Sequence, residues 1–276
     1  MKSLDAMPGG WLTLLAEGAA VLRAQAGGVL LVADVHLGYA EAQQRRGRLL
    51  VREDADAGLA ERLLRLCGAH GCGEVVVVGD LQHEFGRPRG AERRAVVGLV
   101  EGLRAGGVGL KVALGNHDRG LAQFLQVLGV ETACWFGWSC RRVRVLHGDA
   151  QGLEQAGGTG GTCVGEGWRT VCGHVHPAVT LVDGRGARLK MRCFLVSDGW
   201  VVLPAFSPYA AGVNLLKPLS RGPAGDAGGE ADSAADVLGM ADYQVVGIDE
   251  LSSGPVLRPL RRLSELRSWM GGRAGA

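Results

Sequence analysis

GGVLLVADVHLG, residues 27–38, holds five consecutive apolar residues, Val29 to Ala33, between a glycine pair and the polar triplet Asp34-Val35-His36. An unbroken apolar run of this length, opened by glycine and closed by polar residues, reads as a strand buried on both faces. Asp34 and His36 stand where the chain leaves the sheet, and in extended backbone residues two apart point to the same side. Four further stretches repeat the pattern: EVVVVGD at 74–80, LKVALGNHD at 110–118, VRVLHGD at 143–149 and TVCGHVHP at 170–177. Between them the spacing predicts helices over Asp54 to Cys67, Ala91 to Leu103 and Gly120 to Leu128. Strand, helix, strand alternation predicts a mostly parallel, helix-covered sheet.

Beyond His176 the pattern changes. TLVDG, ARLKMRCFLVS and GWVVLPAF follow one another without a long helix, with turn signals at Asp183-Gly184 and Asp198-Gly199, and predict hairpins of a second sheet. The Gly/Ala/Asp-rich stretch at about 220–236 lacks periodicity and reads as a flexible loop; YQVVGID then reads as a last strand, and a short C-terminal tail is expected from about 261. A 276-residue chain that is 47% apolar can bury a large core, and residues 1–276 read as a single domain with these embellishments.

Composition narrows the class further. The start, MKSLDAMPGGWLTLLAEG, shows no long apolar signal region and no cleavage site, and no stretch approaches the roughly 18 apolar residues of a membrane span, so a soluble cytoplasmic protein is expected. Seven cysteines, an odd number without a CxxC pair, read as reduced, mostly buried residues. A net charge of +2 neither announces nor excludes nucleic acid. The 46 glycines, with many Ala and Arg, point to a compositional bias that lowers the functional weight of arginine number.

Five of the seven histidines fall in motifs that each follow a strand: DVH (34–36), GNHD (115–118), HGD (147–149) and GHVH (173–176). In open α/β sheets ligands bind beyond the carboxyl ends of strands, so motifs far apart in sequence converge on one edge. One such motif alone is more often a turn with capping residues; five in order reverse that reading. Imidazole, carboxylate and amide oxygen without thiolate favour Mn, with Fe or Zn as alternatives, over soft-metal or iron–sulfur sites. Two divalent cations with two aspartates leave a positive surplus that attracts phosphate.

The order DVH, GD (79–80), GNHD, HGD, GHVH resembles the signature of the calcineurin-like metallophosphoesterases. The resemblance implies a four-layer α-β-β-α sandwich of two mixed sheets over about residues 11–260. It implies one divalent metal ion held by Asp34, His36, Asp80 and His176 and a second held by Asp80, Asn116, His147 and His174, with Asp80 bridging. His117 would be the catalytic histidine outside the ligand set, oriented by Asp118, and a metal-bound hydroxide would attack phosphorus. LLVADVHLGYAEAQQRRG, GDLQHEFG and LPAFSPY look most like the prokaryotic group that includes the DNA-ligase-associated nuclease. That narrower likeness implies a phosphodiesterase acting on nucleic acid or nucleotides, single-stranded DNA included, and by family resemblance a DNA-repair partner. His83, three residues after Asp80, departs from the common pattern and reads either as a substrate contact or as a hydrogen-bonding support.

Other residues carry weaker signals. Arg45, Arg46, Arg48, Arg52, Arg87, Arg89, Arg93, Arg94 and Arg119 follow the motifs; most read as solvated surface, and any that converge would hold a phosphate backbone without reading bases. Trp135, Phe136 and Trp138 read first as core or as a homodimer contact and second as a base-stacking cluster. His70 reads as a surface residue. Two alternatives stand beside the phosphodiesterase: a phosphomonoesterase or nucleotide phosphatase, and a silent protein-binding scaffold of the same fold. A scaffold would be expected to have lost ligands, above all the histidine of GNHD, and this chain keeps them all.

Overall fold

The chain opens with four strands, alternates strands with helices to about residue 133 and then pairs further strands, in a computed structural model that describes all residues except 8, 25–26, 49–55, 57, 156–166, 184, 211, 218–236, 240 and 274–276. The expected loop at 220–236, Arg52, Cys163 and Gly184 therefore lie outside the described residues. The first sheet runs β1 (Ser3–Asp5), β2 (Leu12–Leu15), β3 (Ala20–Ala24), β4 (Gly27–Val32), β5 (Cys72–Val78), β6 (Gly109–Ala113), β7 (Glu131–Ala133) in that spatial order. Only its second half matches the parallel expectation: β4 to β7 pair parallel, whereas β1 to β4 form an antiparallel meander.

The second sheet is formed by β8 (Trp135–Trp138), β9 (Val143–Leu146), β10 (Arg169–Cys172), β11 (Pro177–Val182), β12 (Arg188–Val196), β13 (Trp200–Val202) and β14 (Val213–Asn214), in the order β14-β11-β12-β13-β10-β9-β8. A hairpin of β15 (Gln244–Leu251) and β16 (Gly254–Arg262) joins it through β12. Both expected hairpins are present, β11–β12 and β12–β13; at the first, Asp183 Oδ1 accepts the amides of Arg185 (2.8 Å) and Ala187 (2.9 Å).

Helices α1 (Tyr39–Arg45), α2 (Leu59–His70), α3 (Gly90–Ala105), α4 (Ala122–Val127), α5 (Ala150–Gln155) and α6 (Leu263–Arg273) complete the described elements named here. Three apolar clusters separate four layers. Alternate residues of one strand serve different clusters, as the period of two requires: Val75 and Val77 of β5 pack with Leu63 and Leu66 of α2 and Leu99 and Leu103 of α3, while Val76 and Val78 face the second sheet. In β12, Phe194 points between the sheets and Cys193 and Leu195 point outward, toward Leu153 of α5 and Leu263 and Leu266 of α6. The result is the four-layer α-β-β-α sandwich of two mixed sheets. The stretch read as a tail from 261 carries the end of β16 and then α6, whose Leu263 and Leu266 are buried.

Among the described residues the cysteines are free, with Cys67, Cys72, Cys172 and Cys193 buried, and no helix is long and apolar enough to cross a membrane.

Candidate metal centre

Parallel strands β4, β5 and β6 of one sheet and β9 and β10 of the other end at the same edge of the sandwich, and the five motifs are the turns that follow them. The sheets meet there: Phe206 donates its amide to the Ala33 carbonyl at 2.7 Å, and Ala33 and Ala205 form a parallel bridge. Small residues make the approach possible. A Cβ on Gly79 would overlap the His147 ring, and one on Gly173 would lie 2.7 Å from both Asp34 Oδ2 and the Ala33 Cβ.

Six non-glycine residues among those described have positive φ, and five are Asp34, Asp80, His36, His174 and His176, at 46–67°. Left-handed backbone costs such residues about 1–3 kcal/mol each and persists where the surroundings over-determine it, typically at functional sites. It turns the side chain back toward the edge where the strands end.

Two groups result, Asp34 with His36 and His176, and Asp80 with His147 and His174, whose donor atoms lie close enough to share an ion. In the first, His176 Nε2 is 3.2 Å from Asp34 Oδ1 and 3.3 Å from His36 Nε2. In the second, His147 Nε2 is 3.1 Å from His174 Nδ1, 3.0 Å from Asn116 Oδ1 and 3.4 Å from Asp80 Oδ2. Asp80 Oδ2 also lies 4.0 Å from His36 Nε2, so this one carboxylate oxygen faces both groups. Facing imidazole nitrogens, one amide oxygen and two carboxylates form a donor set suited to divalent transition metals. The rings are aimed by their far sides or neighbours: His147 Nδ1 is 3.3 Å from the Val78 carbonyl, and both Asp34 oxygens accept the His174 amide, at 3.2 and 3.0 Å. His36 Nδ1 is buried with no hydrogen-bond partner.

Electrostatics divides the imidazoles. Burial, with Asp80 opposing, brings His36 down to about 3, and burial with the charge of His147 brings His174 down to about 4. Burial also works against a charge on His147, but Asp80 and Asp34 outweigh it and push that ring up to about 10; His176 is raised in the same way by Asp34. Burial opposes ionisation of Asp34 and Asp80, yet the neighbouring histidines hold both below the ordinary carboxylate range.

His117 opens a short 3-10 turn, His117–Gly120, beside this centre. Its amide donates to Asp80 Oδ1 at 3.1 Å, and its Nε2 is 3.9 Å from Asp80 Oδ2. His117 Nδ1 meets the oxygen of His83, while Asp118 accepts the amides of Gly115 (Oδ2, 3.0 Å) and Gln82 (Oδ1, 3.2 Å). Successive residues of a 3-10 turn point about a third of a revolution apart, which sends the two side chains in different directions.

Residues 82–86 are clasped against this turn. The Gln82 side-chain nitrogen lies 2.7–2.8 Å from the carbonyls of Glu84, Gly86 and His117, and Glu92 Oε1 accepts the amides of His83 (3.2 Å) and Glu84 (3.0 Å). The His83 ring stands 5.5 Å from that of His36 and 5.9 Å from that of His117, so His36, His83 and His117 form a third group close enough to share an ion. Nothing in the spacing of GDLQHE announces Gln82; its role depends on which carbonyls the loop brings to it.

The arginines divide. Arg45 pairs with Glu41 at 2.6 Å, Arg46 with Glu84 at 3.5 Å, and Arg119 approaches Asp149 at 4.0 Å; Arg45, Arg87 and Arg89 line a cleft of about 300 Å³ beside Phe85. Arg48 donates to Gln43 at 3.1 Å, Arg93 lies over Phe124, and Arg94 is exposed. Phe136 is in the core between the sheets with Trp138 against it, while Trp135 is exposed on β8. His70 ends α2 away from the centre.

No family model and no curated relative matches the chain. Among solved structures it is similar to the crystal structure of Pseudomonas putida nuclease MPE, with 23% identity, a TM-score of 0.55, and 89% of this chain and 96% of that chain covered. At that identity the likeness is one of fold.

Proposed function

We propose that the chain is a dinuclear metal-dependent phosphoesterase that cleaves phosphodiesters of nucleic acid or nucleotides. The observation that carries this reading is Asp80 Oδ2, 4.0 Å from His36 Nε2 of one donor group and 3.4 Å from His147 Nε2 of the other. In this reading Asp34, His36, Asp80 and His176 hold one ion, and Asp80, Asn116, His147 and His174 hold the second, with Mn favoured. Two such cations supply Lewis acidity to phosphoryl oxygens and a nucleophilic water at neutral pH.

The chain's own residues do the rest. Asp34 and Asp80 compensate charge, and the backbone amides of His174 and His117 fix their orientation. His117 stands at the edge of both groups with Nδ1 held by the His83 carbonyl and Nε2 3.9 Å from Asp80 Oδ2, and in this reading Nε2 gives a proton to the leaving oxygen. The fold likeness to a nuclease supports a diester over a monoester.

The decisive experiment is hydrolysis by Mn-reconstituted protein of bis-p-nitrophenyl phosphate, p-nitrophenyl phosphate, nucleotides and single-stranded DNA. Diester cleavage is expected to dominate; a monoester rate far above the others would make it a phosphatase, and no turnover with two ions bound would make it a scaffold. His117→Ala is expected to keep both ions and to slow cleavage of DNA, whose alkoxide needs protonation, by roughly 10²–10⁴-fold. A p-nitrophenyl diester, with its stable leaving anion, should lose much less. Equal losses on both would remove the proton-donor role.

A further inference from the structure

Phe85 is 66% exposed at the mouth of the centre, and its ring lies against His117 with centroids 4.1 Å apart and planes 22° from parallel. Exposed phenylalanine side chains ordinarily move freely. This one is carried by a clasped loop: Gln82 reaches the carbonyls on both sides of it, Glu92 takes the amides of His83 and Glu84, and the backbone of Gly86 lies so close to Gly120 that no side chain would fit there. A rigid aromatic face held in solvent beside reacting groups loses little conformational entropy when something stacks on it.

Phe85 also begins a row of rings. His117 is followed by His83 at 5.9 Å, Tyr39 at 4.6 Å from His83, and Tyr209 stacked on Tyr39 at 5.5 Å and 8°. The Tyr209 hydroxyl is buried with no hydrogen-bond partner. The row passes alongside His36, and Phe85 is its exposed end. Beyond Phe85, Arg87 and Arg89 stand exposed on the adjoining cleft, which Glu41, Glu84 and Glu92 line as well.

Resting on the phosphodiesterase reading above, we infer that Phe85 is the stacking platform for the nucleobase on the leaving-group side of the scissile phosphate. The side follows from contact: Phe85 covers the ring assigned to the leaving oxygen.

The test is equilibrium binding by the full-length, Mn-loaded protein of a short phosphorothioate oligonucleotide carrying one 2-aminopurine, compared with the same strand abasic at that position. Wild type is expected to quench the 2-aminopurine at one position and to bind the base-bearing strand about tenfold more tightly than the abasic one, the loss typical of one base–aromatic stack. Phe85→Ala should abolish both the quenching and the preference while two ions remain bound; Phe85→Trp should retain both. A preference that survives in Phe85→Ala overturns the platform. Failure of wild type to bind either strand would instead remove nucleic acid as the substrate, and the platform with it.

Discussion

Asp80 concentrates the chemistry of the candidate centre in one oxygen. Oδ1 is occupied by the His117 amide, so Oδ2 alone is left to face His36, His117 and His147. Asp80→Asn keeps the size but offers at most one neutral oxygen, and should therefore reduce bound Mn at both positions together, with turnover falling at least about 10²-fold. Metal analysis showing one full site and one empty site would remove the bridge. Asp118 calls for a different expectation. Burial and the charge of Asp80 push its carboxyl up to about 7, so asparagine changes the charge less than the acceptor count, and one of the amides of Gly115 and Gln82 is left unmet. That omission should cost about 1–3 kcal/mol, seen as a lower melting temperature. A variant of wild-type stability whose defect grows only with leaving-group basicity, as for His117→Ala, would return Asp118 to the orienting role. The motifs made Asp80 and its neighbours legible because each closes an apolar strand; the left-handed backbone that Asp34, His36, Asp80, His174 and His176 adopt leaves no mark in the spacing. Adjacency in GNHD suggested a His117–Asp118 pair; what the motif does not show is that His117 Nδ1 meets the His83 carbonyl and that Asp118 accepts the amides of Gly115 and Gln82.

At the scale of elements, what was legible depended on how many faces a strand buries and whether it lies at an edge. β4, β5 and β6 read plainly, as apolar runs ending in polar turns. The meander β1–β3 did not: Leu12 and Leu14 face the second sheet while Leu15 packs toward the helices, so β2 shows no alternation to read. β16 was masked by Pro255 and Pro259, which argue against a central strand. It pairs only with β15 among the described strands, and an edge tolerates the missing N–H. The same end of the chain hides α6, where Leu263 and Leu266 stand between charged neighbours and Trp269 is exposed. Both leucines are at most 5% exposed in the cluster that covers the outer face of the second sheet. Leu266→Ala should therefore destabilise the protein by about 2–5 kcal/mol, with the metal count unchanged in the folded fraction. A melting temperature within experimental error of wild type would show that this segment is the dispensable tail its sequence suggested.

For the whole molecule, the two sheets meet where the donor groups sit, so ions held there would couple to folding. Any ion that binds only the folded chain adds RT ln(1 + [L]/Kd), about 2.7 kcal/mol at a concentration of 100 Kd. For a chain of this size each kcal/mol moves the melting temperature by roughly 2–4 °C, so saturation with Mn should raise it by roughly 5–10 °C per site. The pH dependence follows from the direction of the shifts. Without metal, His147, raised from 6.5 to about 10, adds stability that is complete below pH 6.5 and is lost as pH climbs toward 10; His176, raised by Asp34, has the same sign. A metal needs those rings neutral and must expel their protons, so its affinity rises with pH over the interval in which the metal-free chain loses that support. His36 and His174, lowered to about 3 and about 4, are already neutral at pH 6 and release nothing. The gain in melting temperature on adding Mn should therefore widen between pH 6 and pH 8. Calorimetric titrations in buffers of different ionisation enthalpy should show one to two protons released at pH 7, the larger number if both His147 and His176 are ligands. A release of zero, or a gain that shrinks as pH rises, would mean that neither ring meets the metal and that the ions bind elsewhere on the chain.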